Sequence, residues 1–178
     1  PAVEALSKGA AKAGIWFNTG EGGLSSAHLE GGADIVFQIG TANYGVRDAN
    51  GNLDEEKLAA VAMHKQVRMF EIKLSQGAKP GKGGILPAEK VTPEISVIRG
   101  IPAGESSISP NRQPDIDSAD DLLDMIARIR ELTGKPVGFK AVIGEGEWLE
   151  QLCHKILARG VDAAPDFITI DSADGGTG

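Results

Sequence analysis

The chain has 178 residues, a net charge of −7, 41% apolar residues and 4% aromatic residues. This apolar content can build the core of one sizeable domain, or of part of a larger one, and excludes disorder by composition. Global acidity argues against a nucleic-acid-binding face, and so few aromatics argue against base stacking on exposed rings.

Residues 1–13 read as a helix. A turn-rich stretch, Asn18 to Gly23, follows, and then a strand from Ala33 to Ile39. Thr41 to Asn52 reads as a loop. Leu53 to Val67 carries helix formers, with acids in its first turn and apolar side chains at Leu58, Val61, Ala62 and Met63. Met69 to Leu74 is the next strand, and it runs straight into a loop dense in glycine, lysine and proline. Asp117 or Ser118 caps a helix whose apolar face is Leu122, Leu123, Ile126, Ile129 and Leu132, with Gly134 ending it. Val137 to Ile143 reads as a strand. Gly146 to Arg159 reads as a helix with Trp148, Leu149, Leu152, Ile156 and Leu157 facing inward, and Phe167 to Ile170 as a short buried strand. Helix–strand–helix–strand with short connections implies parallel strands joined by right-handed crossovers, an α/β fold.

The 24 glycines favour tight turns and backbone-built binding loops over a helical bundle. Cys153 is the single cysteine, so the chain has no internal disulfide and no cysteine cluster for a metal, and the simplest compartment is the reducing cytoplasm. No apolar run reaches the roughly 20 residues of a membrane span. The chain begins at Pro1 and stops at Gly178 inside a glycine loop, so it reads as a fragment.

In parallel α/β folds, ligands bind beyond the carboxyl ends of the strands. Three segments fall there: Ser75 to Gly84, the residues after Lys140, and Asp171 to Gly178. Successive glycines in the last can ring a phosphate with backbone N–H groups, or form an ordinary turn. Lys140 interrupts an apolar strand. It is either an edge lysine reaching solvent, or an ammonium at the mouth of the fold that meets an anionic cofactor edge or acts as a Schiff-base nucleophile. Lys73 poses the same question one strand earlier. Glu21 is either a solvated loop acid or a site residue, and Arg99 either a surface residue or a bidentate carboxylate clamp. His28, His64 and His154 are read as structural or solvated, with His64 and His154 on helices, and Cys153 as a small core residue.

Four motifs, taken together, resemble the FMN-binding domain of glutamate synthases, more closely the shorter glutamate synthase-like proteins. They are Phe17-Asn-Thr-Gly-Glu-Gly-Gly23, the glycine–lysine stretch from Glu71 to Gly84, Ile108-Ser-Pro110, and Asp174-Gly-Gly-Thr-Gly178. The resemblance implies a (β/α)8 TIM-type barrel that holds FMN. Residues 1–178 are then the N-terminal part of that barrel, truncated at the C-terminal end with its later strands missing. It implies reduction of 2-iminoglutarate, formed from 2-oxoglutarate and ammonia, to L-glutamate. It assigns Glu21, Lys79 and Arg99 to the 2-oxoglutarate. A dicarboxylate needs two cationic groups, which Lys79 and Arg99 supply. Lys73 and Lys140 become catalytic candidates at the flavin's N1–C2 edge, where positive charge stabilises the reduced anion. Gln76, Lys140, Gly175, Gly176 and Thr177 are the expected cofactor contacts. No metal ligands are expected in this chain, and an iron–sulfur cluster would belong to the full-length parent. An electron-donor protein or domain is the expected partner, with no nucleic acid and no membrane.

One position departs from the pattern: many family members carry Gln where this chain has Ile85. Isoleucine cannot donate the hydrogen bond, so the substrate differs from 2-oxoglutarate or another residue takes over. Two alternatives stay open, a phosphate-binding Schiff-base lyase or aldolase using Lys140, and a non-catalytic homologue. An open half-barrel also leaves parallel edges unpaired and apolar barrel-facing residues exposed. The isolated 178-residue chain is therefore expected to bind FMN poorly and to have little activity. Titration with FMN checks this, and tight stoichiometric binding would contradict it.

Overall fold

The computed structural model describes residues 2–77 and 83–171. Its elements run α1 (Ala2–Ala13), β1 (Phe17–Asn18), α2 (Ser26–Glu30), β2 (Ile35–Ile39), α3 (Glu55–Ala62), β3 (Val67–Lys73), β4 (Ile85–Leu86), α4 (Pro93–Arg99), β5 (Ser107–Ile108), α5 (Ala119–Thr133), β6 (Val137–Val142), α6 (Glu147–Arg159) and β7 (Ile168–Asp171). Five strands pair in the order β1-β2-β3-β6-β7, all in parallel. Helices α2, α3, α5 and α6 lie in the crossovers between them. This is a curled half-barrel of the TIM type, and the expected α/β class holds. The long connection from β3 to β6 carries α4 and the small antiparallel pair β4–β5.

Side chains alternate between the two faces of each strand. Ile35, Phe37 and Ile39 of β2, Phe70 and Ile72 of β3, and Val137, Phe139 and Ala141 of β6 point to the helix side. There they join Leu58 of α3, Leu122, Leu123, Met125, Ile126 and Ile129 of α5, and Leu152 of α6 in one core. Phe37 meets Phe70 edge-on at 5.8 Å between ring centres, and Phe139 meets Trp148 at 6.0 Å. Such pairs contribute about 0.5–1.5 kcal/mol each beyond burial. The opposite, barrel-facing side carries Gln38, Glu71, Lys73, Lys140 and Thr169, which the registers place on neighbouring strands at matching heights.

Local chemistry sets the helix ends. Ser118 caps α5 by accepting a hydrogen bond from the Asp121 N–H, Asp120 and Asp121 face the positive end of the helix dipole, and Gly134 closes it at φ 64°. Asp54 caps α3 by accepting from the Lys57 N–H. That helix is shorter than the pattern from Leu53 to Val67 implies. It stops at Ala62, a turn at His64 follows, and Val67 is already the fully buried first residue of β3. His64 therefore lies outside the helix.

Other expectations fail on the side of burial. Ile168 and Ile170 of β7 are 42% and 66% exposed, because no described helix covers the outer face of that strand. The exposed apolar residues of β7 thus belong to the helix-facing side, while the barrel-facing side is polar. Leu157 is 74% exposed although it follows inward-facing Ile156, and Cys153 lies on the outer face of α6. Short β1, α2, α4, β4 and β5 are absent from the sequence-based expectations, since two to seven residues carry too little periodicity to detect.

Ile126 sits at the centre of the α5 face and is fully buried. Replacing it with Ala is expected to cost about 2–5 kcal/mol through lost burial and the cavity left behind. Denaturant unfolding of wild type and variant checks the size of the loss.

Candidate active site

The polar face of the half-barrel is built around Glu71 in the middle of β3. Its side chain is buried, at 2% exposure. Oε1 accepts from Asn18 Nδ2 at 2.9 Å and Gln38 Nε2 at 2.6 Å, and Oε2 accepts from Thr169 Oγ1. One carboxylate thereby ties β1, β2 and β7 to β3 with charge-assisted bonds. Gly138 stands beside Glu71 in the register on β6. A Cβ there would fall 2.4 Å from the Phe167 carbonyl oxygen, so only glycine lets β7 approach closely enough for Thr169 to reach Glu71.

Lys73 and Lys140 follow one step nearer the carboxyl ends, directly paired in the register. Each meets its own acid. Lys73 Nζ lies 3.3 Å from Glu21 Oε2, and Lys140 Nζ lies 2.9 Å from Asp171 Oδ2. The order of charge around the mouth is acid, lysine, lysine, acid, which relieves the repulsion of two adjacent ammonium groups.

Glu21 stands beyond β1 in a loop that must pack tightly. A Cβ on Gly40 would come within 2.5 Å of the Glu21 Cβ, so glycine at 40 is what admits this side chain. Gln76 Nε2 donates to Glu21 Oε2 and to Thr41 Oγ1, both at 2.8 Å, and Gln76 Oε1 accepts from Lys73 Nζ at 3.2 Å. Thr41 Oγ1 in turn donates to the Pro110 carbonyl at 2.7 Å. The Pro110 carbonyl of the Ile108-Ser-Pro110 motif thus supports the Gln76 amide through Thr41. Ile85 lies on β4 opposite Ile108 of β5 and is 71% exposed, one residue from Gly84, whose Cβ would sit 3.2 Å from Glu21 Oε1.

Arg99 is the last residue of α4, a helix capped at its start by Thr92, whose hydroxyl accepts from the Ile95 N–H, and at its end by Gly100 with φ 71°. Its guanidinium stands over the Tyr44 ring at 4.9 Å from the centroid, and Nη1 donates to Ser107 Oγ at 2.9 Å. Among the described residues no carboxylate pairs with Arg99. Arg99 and Glu21 line one open cavity of about 390 Å³, together with Thr19, Ser25, His28 and Ile98.

Of the residues singled out by sequence, the structure therefore gathers Glu21, Lys73, Gln76 and Arg99 into one neighbourhood, with Lys140 on the next strand. Lys79, Gly175, Gly176 and Thr177 lie outside the described residues. Glu71, Tyr44, Ser107 and Asp171 escape sequence reasoning as individual residues. Among the described residues no cluster of three or more His, Cys, Asp or Glu forms a metal site, and no helix is long and apolar enough to cross a membrane.

Residues 1–178 match a family model described as the conserved region in glutamate synthase. The chain belongs to the glutamate synthase family. It is 46% identical over 178 residues to the glutamate synthase large subunit-like protein YerD of Bacillus subtilis, covering 99% of this chain and 33% of that protein. It is 40% identical over 182 residues to the archaeal glutamate synthase [NADPH] of Archaeoglobus fulgidus, covering 99% of this chain and 31% of that protein. It is 39% identical over 179 residues to the archaeal-type glutamate synthase [NADPH] of Thermotoga maritima, covering 99% of this chain and 32% of that protein. The chain spans about a third of the length of the curated relatives it matches. This family membership accounts for the four motifs.

His28, on the wall of the cavity, accepts the Ser25 N–H at Nδ1 at 3.0 Å, which requires a neutral ring nitrogen there. Burial lowers its pKa below the ordinary 6.5. The unfolded chain thus takes up a proton that the folded chain resists. Stability from this group is full above about pH 6.5 and falls as pH drops from there toward the lowered folded value. Thermal unfolding between pH 7.5 and 5 is expected to show this decline, and a His28→Gln variant is expected to show a shallower one.

Proposed function

We propose that this chain is part of a glutamate synthase-type oxidoreductase that reduces 2-iminoglutarate, formed from 2-oxoglutarate and ammonia, to L-glutamate. The observation that carries this reading is the meeting of Glu21 and Arg99 in one cavity, with Lys73 and Gln76 bonded to the same Glu21. A cation with no acidic partner among the described residues beside a fixed carboxylate suits a substrate that has carboxylates and a developing iminium. Arg99 binds one substrate carboxylate through its forked N–H groups, and Lys79 is assigned the other. Glu21 offers negative charge to the protonated imine, its more electrophilic form.

FMN fits the barrel-facing side, because Lys73 and Lys140 stand side by side where an anionic ring edge needs cations. When bound, FMN supplies the hydride. Lys73, Lys140 and Gln76 would hold its ring, and Gly175, Gly176 and Thr177 its phosphate. Glu21 and Asp171 keep the two lysines oriented until then. Lys140 Nζ is engaged by Asp171 at 2.9 Å and stands beside Lys73, an arrangement that suits electrostatic work at an anionic ring edge. The reading carries with it an electron-donating protein or domain, an iron–sulfur cluster outside this chain, and a cytoplasmic setting.

The test uses the full-length protein, photoreduced without oxygen. Addition of 2-oxoglutarate with ammonium is expected to reoxidise the flavin, and Arg99→Ala is expected to slow this at least tenfold at low substrate. Absence of flavin absorbance, or no reoxidation by any 2-oxo acid with ammonium, would count against the reading. Borohydride trapping of a carbonyl compound on Lys140 would favour the lyase instead.

A further inference from the structure

Tyr44 is the single tyrosine of the chain and is almost completely buried, at 1% exposure. It lies in the loop between β2 and α3, far from Ser107 of β5 in sequence, yet Ser107 Oγ donates to its phenolic oxygen at 2.6 Å. Ser107, 4% exposed, accepts from Arg99 Nη1 at the same time. The ring of Tyr44 also supports the Arg99 guanidinium from below at 4.9 Å. Arg99 is thus held twice by one residue, by a π face and by a two-step hydrogen-bond relay.

The backbone around this relay is equally constrained. The Gly45 N–H donates to the Arg99 carbonyl at 3.2 Å. A Cβ on Gly23, at φ +91°, would lie 2.9 Å from the Ile98 carbonyl oxygen, and a Cβ on Gly22 would lie 3.6 Å from Arg99 Nη2. The Glu21 loop, the Tyr44 loop and the end of α4 therefore pack as one unit around the guanidinium. With Nη1 engaged by Ser107, Nη2 has no hydrogen-bond partner among the described residues, and Arg99 borders the cavity that Glu21 lines.

We propose that Tyr44 and Ser107 are positioning residues that set Arg99 for the carboxylate remote from the oxo group of a dicarboxylate substrate, and so set the preference for dicarboxylates over monocarboxylates. This rests on the assignment of Arg99 to the substrate made above. Fixing a guanidinium in advance lowers the entropic cost of forming a directed carboxylate bond. A freely rotating arginine would still attract anions but would discriminate less between them.

The experiment measures the affinity of the full-length protein for 2-oxoglutarate and for the monocarboxylate 2-oxobutyrate by calorimetry, in wild type, Tyr44→Phe, Ser107→Ala, the double variant and Arg99→Lys. Tyr44→Phe keeps the ring and removes only the phenolic oxygen. Each single variant is expected to weaken 2-oxoglutarate binding about three- to tenfold while 2-oxobutyrate binding stays within twofold. The double variant is expected to be little worse than either single one, since both break the same relay. Unchanged 2-oxoglutarate affinity in both single variants, beside a clear loss in Arg99→Lys, overturns the positioning role alone. Equal weakening for both ligands also overturns it, because that marks a general structural effect or a grip on the carboxylate that both ligands share. No loss in Arg99→Lys, or no 2-oxoglutarate binding by wild type, overturns the assignment of Arg99 on which the proposal stands.

Discussion

The rest of the structure depends on the two-residue alternation of β3. Phe70 and Ile72 are fully buried against the helices, and between and beside them Glu71 and Lys73 face the barrel side. A slip of one residue in its pairing with β2 or β6 would drive a carboxylate and an ammonium into the apolar core, at a cost no packing there could offset. The bonds from Asn18, Gln38 and Thr169 to Glu71 lock the same register from the polar side. Hydrophobic burial on one face and a satisfied buried charge on the other therefore specify a single arrangement of the central strands. Both faces need this strand central, and it is the strand whose carboxyl end opens into the glycine–lysine stretch.

Much of this was legible in the sequence where a periodic signal ran long enough. The α5 helix shows its cap, its apolar face and its glycine stop between Ser118 and Gly134, and it forms as read. Strands β3 and β6 show in the sequence as apolar runs, and the lysines that interrupt those runs are barrel-facing positions. Leu53 to Val67 went wrong at its end because Val67 suits a helix pattern and a strand start equally, and only pairing with β2 decides between them. The buried character expected of Phe167 to Ile170 followed from its composition. Burial, however, depends on what covers a strand, which local composition does not encode.

The candidate site was legible in its charged residues and hidden in its supports. Glu21, Lys73, Lys140 and Arg99 stand out because charge inside glycine loops or apolar strands asks for a reason. Tyr44 and Ser107 give no such signal. A buried tyrosine and a buried serine are ordinary core residues until Arg99 is seen between them, and their separation of 63 positions leaves no spacing to read. Glu71 was visible as part of a motif, but its bonds run to three other strands, so its role as a strand tie exists only in the assembled sheet.

The paired charges at the mouth have a consequence for how a ligand arrives. Glu21 against Lys73 and Asp171 against Lys140 cancel to no net charge, within a chain whose overall charge is −7. At physiological salt a charge is screened over about 8 Å, so an anion feels little pull from these lysines until it is nearly in contact. Under the proposed function, capture of a dianion is then a short-range event that depends on Arg99, while Lys73 and Lys140 stay held by Glu21 and Asp171 until an anionic ring edge meets them. Such a mouth gives up long-range attraction for selectivity in place, since an anion that cannot reach Arg99 gains little by entering.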